Sequence, residues 1–320
     1  VFKLFENISQ QLSSGGVSGG SGSSSVSSSV CSDEDKEIAG LTPRLERLKT
    51  AYLKVKPSVF VQRAVVTTDV YRENAGMPIK MLRAMAFKKA CETAPLLIQP
   101  DELIIGHPCG RPRAGCVSPE ISWRWIRDEL DTMSTRAQDP FQISEEDKKI
   151  LREKVFPYWE GRSVDEICQK QYEEAGVWSF SGESFVSDLS YHQVNGGGDT
   201  CPGYDVILVK KGINGIKKEA EEKLAGLSME HPGDIDKIYF YKAEILVCEG
   251  VLIYARRLAA YAKSLGEHET DNQRRQELYK LADIMTNVPA NPPRTFHEGL
   301  QSVWTMESLF NVAENQTGIS

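Results

Sequence analysis

The chain has 320 residues, of which 40% are hydrophobic, so it is long enough to bury one large core or two ordinary ones. Its net charge of −7 offers no basic surface to a phosphate backbone, which argues against nucleic acid as a partner. No apolar run approaches the roughly 20 residues of a membrane span, so no membrane partner is expected. The seven cysteines are scattered and no secretory signal precedes them, which favours reduced thiols in the cytoplasm.

The first forty residues are predicted to lie outside the globular fold. Segment 1–12 has apolar residues at the spacing of an amphipathic helix, namely Val1, Leu4, Phe5, Ile8 and Leu12. A helix this short is marginal in water unless its apolar face docks, so the segment is either a frayed terminus or a targeting helix, and we favour the second. Residues 13–40 begin with a stretch that is almost wholly Ser and Gly, which predicts a flexible linker.

The remaining residues, 41–320, predict a helix-rich α/β fold. Helix starts are indicated where a capping residue precedes proline or acidic residues, at Thr42, Ser118, Ser144 and Ser163. The helix that begins at Ser118 should carry Trp123 and Trp125. Periodic apolar residues predict further helices, over 80–91, 213–226, 234–264, 270–286 and 295–312. Short apolar runs predict strands at 103–105 and 205–209.

Three consecutive glycines, Gly196 to Gly198, lie between Tyr191 and Asp199 in segment 191–205. Glycine lets the backbone turn tightly and approach a ligand closely, so the segment could form the wall of a pocket. From the pattern alone a structural turn is the simpler interpretation, with Asp199 in an Asx-turn. A binding loop is the alternative.

Other reactive residue types have simple structural interpretations. His107, Cys109 and Cys116 could be metal ligands, but zinc sites usually show a second close Cys or His pair, so no metal site is predicted. Cys248 precedes Glu249 within an apolar helical stripe, which favours a buried core thiol over a radical site. Tryptophans at helical spacing more often belong to a core, which applies to Trp123, Trp125, Trp159, Trp178 and Trp304.

Three segments together resemble the glycyl radical enzymes. Segment 106–112 is Gly-His-Pro-Cys-Gly-Arg-Pro, segment 191–204 contains the triple glycine, and segment 288–304 contains Pro-Pro-Arg-Thr-Phe-His-Glu-Gly-Leu-Gln-Ser. The last is shared across the family, whereas Tyr191 and Asp199 point to its choline-cleaving branch. The resemblance covers the whole predicted fold, and it implies the N-terminal portion of a ten-stranded α/β barrel, truncated at its C-terminal end.

The resemblance implies a lyase that works through an organic radical. An unpaired electron is stored on a backbone glycine and passed to a cysteine, whose thiyl takes a hydrogen atom from the substrate. In the family both residues lie beyond this sequence, so none of its seven cysteines is expected to be the thiyl residue. The implied reaction splits choline to trimethylamine and acetaldehyde.

Within that reaction, Asp199 is implied as the catalytic residue that accepts a hydrogen bond from the substrate hydroxyl. Tyr191 is implied as a second substrate-binding residue, in the cage around the quaternary ammonium. These residue types fit choline, because it offers one hydroxyl donor and a diffuse cation that cannot donate a hydrogen bond. His192 and Asn195 would be hydrogen-bond partners of the loop rather than catalysts.

The resemblance also implies partners. No bound cofactor is expected, and a radical AdoMet activating enzyme would install the glycyl radical on a glycine outside this chain. The protein would be a homodimer in the cytoplasm, in the lumen of a bacterial microcompartment, where segment 1–12 would contact shell or cargo proteins. The alternatives are another glycyl radical eliminase, such as a diol or hydroxyproline dehydratase, and a non-catalytic truncated fragment with a packaging role.

Overall fold

The computed structural model describes residues 42–107, 109–176, 180–181, 184–185 and 203–314. Segments 1–12 and 13–40 lie outside these residues, so their predicted roles stay predictions. The α-helices are α1 (Pro43–Lys54), α2 (Gln62–Glu73), α3 (Ile79–Thr93), α4 (Pro119–Ser122), α5 (Arg124–Glu129), α6 (Glu145–Ile150), α7 (Phe156–Trp159), α8 (Val164–Glu174), α9 (Gly212–Ala225), α10 (Pro232–His268), α11 (Asn272–Asn287) and α12 (Phe296–Glu314). Among the described helices, not one combines the length and the apolar character that a membrane span requires.

Four short strands form two small sheets within the described residues. Strands β1 (Ser58–Phe60) and β2 (Ala114–Cys116) pair in parallel, with Phe60 opposite Cys116. Strands β3 (Phe180–Ser181) and β4 (Ser184–Phe185) pair antiparallel. Helices therefore supply most of the described fold, as the sequence predicts.

The larger core forms around the long helix α10, which packs against α3, α9 and α11. Apolar residues of α10 recur every three or four positions, so one face of the helix is buried along much of its length. Among the largest fully buried side chains of this core, five belong to α10, α11 and α12, namely Tyr254, Leu258, Leu281, Met285 and Leu309. Ile105 and Leu208, which lie outside these helices, are buried in the same core. Cys248 is buried in the same core, as predicted.

A second core lies between α2 and the short helices that follow β2. Trp123 and Trp159 are buried there, which confirms their predicted place in a core. Trp125 and Trp304 are instead 42% and 40% exposed, so the prediction is wrong for them. Trp178 lies outside the described residues.

The predicted helix starts differ in their capping. Ser144 caps α6 as expected, because its hydroxyl accepts a hydrogen bond from the amide of Asp147 at 3.1 Å. At α8 the hydroxyl of Ser163 donates to the carboxylate of Asp165 rather than capping the helix. The single aromatic helix predicted after Ser118 is two helices, α4 and α5.

Neither predicted strand forms. Segment 103–105 has no regular secondary structure, with bends at Leu103 and Ile104, and it pairs with no strand among the described residues. Segment 205–209 lies in a turn of π-helix, Asp205–Lys211, which leads into α9. Leu208 is buried there while Val206 and Val209 are exposed. A short apolar run does not distinguish a strand from a buried helical turn, and here packing on the helical core decided the outcome.

Candidate functional site

The predicted substrate contacts, Tyr191 and Asp199, lie outside the described residues, together with His192 and Asn195. Their roles therefore stay predictions. The structure does describe the chain that leaves the glycine loop, from Gly203 onward, and the two other segments that resemble glycyl radical enzymes. All three are connected to helix α12 or to the turn that precedes it.

Tyr204 ties the exit of the glycine loop to helix α12. Its hydroxyl donates a hydrogen bond of 2.6 Å to Oε1 of Glu307. The amide of Ile207 donates to the carbonyl of Gly203, so the chain becomes helical as soon as it leaves the loop. The place where the loop ends is therefore set by α12.

Helix α12 also holds segment 103–106 through its side chains. Nε2 of His297 lies 2.6 Å from the carbonyl oxygen of Leu103. The indole N–H of Trp304 donates to the carbonyl oxygen of Gly106 at 2.8 Å. These contacts fix both ends of the segment against one helix.

Gln301 supplies the central contact between α12 and this segment. Its Oε1 accepts from the amide of Ile105 and its Nε2 donates to the carbonyl of Ile105, both at 2.8 Å. Both residues are 0% exposed. A carboxamide carries an acceptor and a donor side by side, so it pairs with a backbone much as a neighbouring strand would. This explains how the buried backbone of Ile105 is satisfied without belonging to a sheet.

Three polar side chains of one helix face thus satisfy one stretch of backbone. Residues 297, 301 and 304 are spaced as i, i+4 and i+7, which places them on the same face of α12. Sequence reasoning missed their role, although polar residues at helical spacing within a family segment were a visible signal. Glu307 was also missed, since nothing near it in the sequence marks it as a partner for Tyr204.

The entry into α12 is held by Arg294 and Glu298. One carboxylate oxygen of Glu298 accepts from Nε and Nη2 of Arg294 at 2.9 and 2.5 Å, and the other accepts from the amide of Arg294 at 2.5 Å. Asn287 donates to the same carboxylate at 3.0 Å. Burial acts to raise the pKa of Glu298, but these hydrogen bonds outweigh it and leave the pKa below its usual range. Glu298 is therefore an ionised anchor for this turn.

The segment before α12 also positions the start of α9. The amide of Ile213 donates to the carbonyl of Pro289, and the amide of Asn214 donates to the carbonyl of Ala290, both at 2.9 Å. Helix α9 follows directly from the exit of the glycine loop. The family segment around Pro289 therefore supports that exit from a second side.

Glu102 and His107 form a part-buried pair beside segment 103–106. Oε1 of Glu102 lies 2.6 Å from Nε2 of His107, and Gln99 donates to the same carboxylate through its amide and its side chain. Burial acts to raise the pKa of Glu102, but the hydrogen bonds from His107 and Gln99 prevail and the pKa is lowered. The pair holds the imidazole in a defined orientation.

The three residues weighed as metal ligands do not converge. His107 is paired with Glu102, whereas Cys109 and Cys116 contact each other, Sγ to Sγ, at 3.3 Å. Both thiols lie in a small apolar cluster with Phe60. Among the described residues no group of three or more His, Cys, Asp or Glu side chains is arranged to hold a metal.

An apolar groove of about 520 Å³ lies beside Tyr204. Residues of α3, α9, α10 and α12 line it, among them Phe87, Ile213, Val247 and Met306. Its lining suits packing against an apolar surface better than acid–base chemistry. The described residues around α12 therefore act as a scaffold that holds the chain that follows the glycine segment, from Gly203 onward.

Comparison with known proteins shows the family to which the chain belongs. Residues 37–320 match the family model described as pyruvate formate lyase-like. The chain belongs to the pyruvate formate lyase-like family. Its relatives include isethionate sulfite-lyase of Bilophila wadsworthia, which is 33% identical over 82% of this chain, and trans-4-hydroxy-L-proline dehydratase of Clostridioides difficile, which is 30% identical over 83%.

Solved structures agree with the family. The glycerol-bound B12-independent glycerol dehydratase of Clostridium butyricum superimposes with a TM-score of 0.78 and 33% identity, over 87% of this chain and 35% of the other. A glycyl radical enzyme of Archaeoglobus fulgidus gives 0.75 and 27%, over 87% and 35%. The resemblance to glycyl radical enzymes and the helix-rich α/β fold, as part of such a barrel, are thus confirmed. The chain spans about a third of the length of these relatives, 32% for the sulfite-lyase and 33% for the hydroxyproline dehydratase.

Proposed function

We propose that this chain is part of a glycyl radical eliminase, in which helix α12 positions the C-terminal end of a substrate loop. The observation that carries the proposal is the convergence of the family segments on α12 and its preceding turn. Tyr204 donates a hydrogen bond to Glu307, and the amide of Ile105 donates one to Gln301. The named relatives of the chain are lyases and dehydratases. The described residues around α12 support the proposed substrate loop and do not themselves carry out the radical chemistry.

At the level of substrate, the proposal is carbon–nitrogen cleavage of choline to trimethylamine and acetaldehyde. It rests on Tyr191 and Asp199, which flank the triple glycine. An ionised carboxylate is a strong acceptor for the substrate hydroxyl in a dry pocket, and an aromatic ring attracts a quaternary ammonium. Asp199 could also take up the proton as trimethylamine leaves.

Dehydration is the second candidate, and the comparisons favour it. Named relatives include trans-4-hydroxy-L-proline dehydratase and a (2S)-3-sulfopropanediol dehydratase of Klebsiella oxytoca, and no choline lyase is among the relatives described above. A dehydratase would share the segment around Arg294 and Gln301 but would need other pocket residues. A non-catalytic role in packaging is a third, separate hypothesis.

The proposed enzyme needs partners that this chain does not contain. A radical AdoMet activating enzyme would install the radical on a glycine outside these 320 residues. The complete enzyme would be a homodimer, and segment 1–12 would direct it into a microcompartment through the linker 13–40. Removal of residues 1–29 should then leave folding intact but abolish co-purification with shell proteins, because a Ser/Gly tether transmits no packing.

The test is a substrate panel with the full-length polypeptide and its activating enzyme under anaerobic conditions. Trimethylamine and acetaldehyde from choline support the choline proposal, whereas turnover of glycerol, propane-1,2-diol or trans-4-hydroxy-L-proline supports a dehydratase. No turnover of any of them by an enzyme whose glycyl radical is detected by electron paramagnetic resonance would contradict both. The 320 residues alone should be inactive with every substrate.

Two variants separate the roles of the loop residues. Asp199→Asn keeps the shape of the side chain but loses the charged acceptor. The transition-state stabilisation measured from the ratio of kcat/KM values should therefore fall by about 1.5–3 kcal/mol. Tyr191→Phe should have a smaller effect, because the ring face remains for the ammonium. Wild-type turnover by Asp199→Asn together with an inactive Tyr191→Phe would show that this assignment is wrong.

A further inference from the structure

Two cysteine thiols lie in contact within the loop that joins segment 103–106 to strand β2. Sγ of Cys109 is 3.3 Å from Sγ of Cys116, and the two residues are 1% and 7% exposed. Both are free thiols. Among the cysteines that the structure describes, this is the one pair in thiol contact.

The backbone brings the two thiols together without a bond between them. Gly110 has a φ of +58° and lies against Pro95, while Arg113 has a φ of +54° and donates a hydrogen bond to the carbonyl of Val55. These two left-handed residues turn the chain so that it returns to β2, where Cys116 pairs with Phe60 of β1. The entropy of closing the loop is therefore already spent in the folded protein, which favours a cross-link at this place.

The surroundings make the two thiols unequal. The hydrogen bond shared with Cys109 lowers the pKa of Cys116, opposed by burial, aided by the nearby Arg63 guanidinium and opposed by Glu120. The same hydrogen bond and burial raise the pKa of Cys109, although Arg111 and Arg63 act against the rise. Cys116 is therefore the better nucleophile of the two, because the thiolate is the reactive form.

We propose that Cys109 and Cys116 are a redox modification site that closes to an intramolecular disulfide when the protein meets a peroxide. The Cys116 thiolate attacks one peroxide oxygen, the O–O bond breaks, and Cys116 becomes a sulfenic acid as hydroxide or alkoxide leaves. The Cys109 sulfur then attacks the Cys116 sulfur, and the sulfenic oxygen leaves as water with the thiol proton. With hydrogen peroxide, two thiols and one peroxide give one disulfide and two waters. A small dithiol restores the pair by thiol–disulfide exchange.

A peroxide fits this site better than a bulky oxidant does. Hydrogen peroxide is close to water in size, so it needs only a small opening to reach a thiol that is 7% exposed. Cys168 is half-buried on α8 and is more accessible, but it has no thiol neighbour among the described residues. Cys168 therefore serves as an internal control, because it shows how readily peroxide oxidises a thiol that is accessible but has no thiol beside it.

The sequence of the loop makes the cross-link easy to detect. Trypsin cleaves after Arg113 but not after Arg111, because Pro112 follows Arg111. Reduced Cys109 and Cys116 therefore appear on two separate tryptic peptides, whereas the oxidised pair stays on two peptides joined by a disulfide. The full-length protein is treated with hydrogen peroxide, quenched with an alkylating reagent, digested and examined by mass spectrometry, with and without dithiothreitol.

We expect the joined peptides after peroxide and their loss after dithiothreitol. Cys109→Ser should leave a sulfenic acid on Cys116 that reacts with dimedone, and neither this variant nor Cys116→Ser should give the joined peptides, because each lacks one of the two sulfurs. Urea unfolding midpoints confirm that both variants are folded. A wild-type protein in which Cys168 is oxidised while Cys109 and Cys116 stay on separate peptides would overturn the proposal, as would stronger labelling of Cys109 than of Cys116.

Discussion

Two segments on either side of the loop 107–113 satisfy their backbone groups in different ways. Segment 114–116 pairs with another backbone, strand β1, in a regular parallel register. Segment 103–106 pairs with side chains, those of His297, Gln301 and Trp304 on one helix. Segment 103–106 is part of the support for the candidate site.

The difference lies in how much each segment depends on particular residues. A backbone partner offers the same donors and acceptors whatever its side chains are, so strand pairing tolerates substitution. A side-chain partner is lost with a single residue, and the buried groups that it satisfied are then left without a partner. Helix α12 should therefore be more sensitive to substitution at these positions than β1 is.

The largest effect is expected for Gln301→Leu. The variant keeps a similar volume but leaves the buried amide and carbonyl of Ile105 unpaired, so the free energy of unfolding should fall by about 2–5 kcal/mol. Urea unfolding measures it. The matched control is Gln276→Leu on the exposed side of α11, which should change stability by about 0.5 kcal/mol or less. Equal losses for the two variants would show that Gln301 does not replace a strand partner.

The next effect concerns the turn between segment 103–106 and strand β2. Gly110 has a φ of +58°, and a Cβ there would lie 2.7 Å from the ring and the carbonyl oxygen of Pro95. Gly110→Ala should therefore cost about 2–4 kcal/mol from strain and steric overlap together. Gly161 is the control, because it has a φ of +73° with nothing within 4 Å of the added Cβ, so Gly161→Ala should cost only about 1 kcal/mol. The comparison fails if thermal unfolding ranks the two variants in the opposite order.

A smaller effect, which depends on pH, is expected at Glu102. Its lowered pKa means that it stabilises the fold above about pH 4.3, the ordinary glutamate value, and that this contribution is lost as the pH falls through the lower pKa of the folded state. Glu102→Gln should cost on the order of 1.5 kcal/mol at pH 7, and the deficit should shrink in acid. The exposed Glu146→Gln is the control, and at pH 7 it should cost about 0.5 kcal/mol or less. A deficit at Glu102→Gln that does not change with pH would contradict this assignment.

The smallest effect is expected for Trp304→Phe. The indole hydrogen bond to the carbonyl of Gly106 is lost, but Trp304 is 40% exposed and water can replace the donor, so the cost should be about 1 kcal/mol. Trp125→Phe matches it in exposure, at 42%, and should cost about 0.5 kcal/mol or less. If Trp304→Phe lowered the free energy of unfolding as much as Gln301→Leu does, burial would not be what decides the strength of the two contacts.

Sequence reasoning was most successful where one helix carries a long periodic pattern. The helices predicted over 234–264 and 270–286 appear as Pro232–His268 and Asn272–Asn287, and the cap at Ser144 is present. Such elements contain the information for their own formation, because the apolar period and the cap are local. The family was also correctly recognised from short segments, and the family match covers residues 37–320.

Sequence reasoning was wrong where the partner of a segment is remote. The run 103–105 has the composition of a strand, but its partner is Gln301, which is 196 positions away from Ile105. The run 205–209 also has the composition of a strand, but it forms a helical turn with Leu208 buried. In each run one apolar residue is fully buried, Ile105 or Leu208, while Leu103, Val206 and Val209 are exposed. The composition therefore leaves the backbone geometry open, because either conformation can bury one residue of a short apolar run.

By itself the sequence determined the helix-rich α/β class, the main helices and the membership of the family, since these follow from local periodicity and from contiguous motifs. Only the tertiary structure decided that α12 is the helix on which the motifs meet, that His107 pairs with Glu102, and that Cys109 lies against Cys116. The reason is physical. Hydrogen bonds between residues remote in sequence depend on how the helices pack, and packing is a property of the whole fold rather than of any one segment.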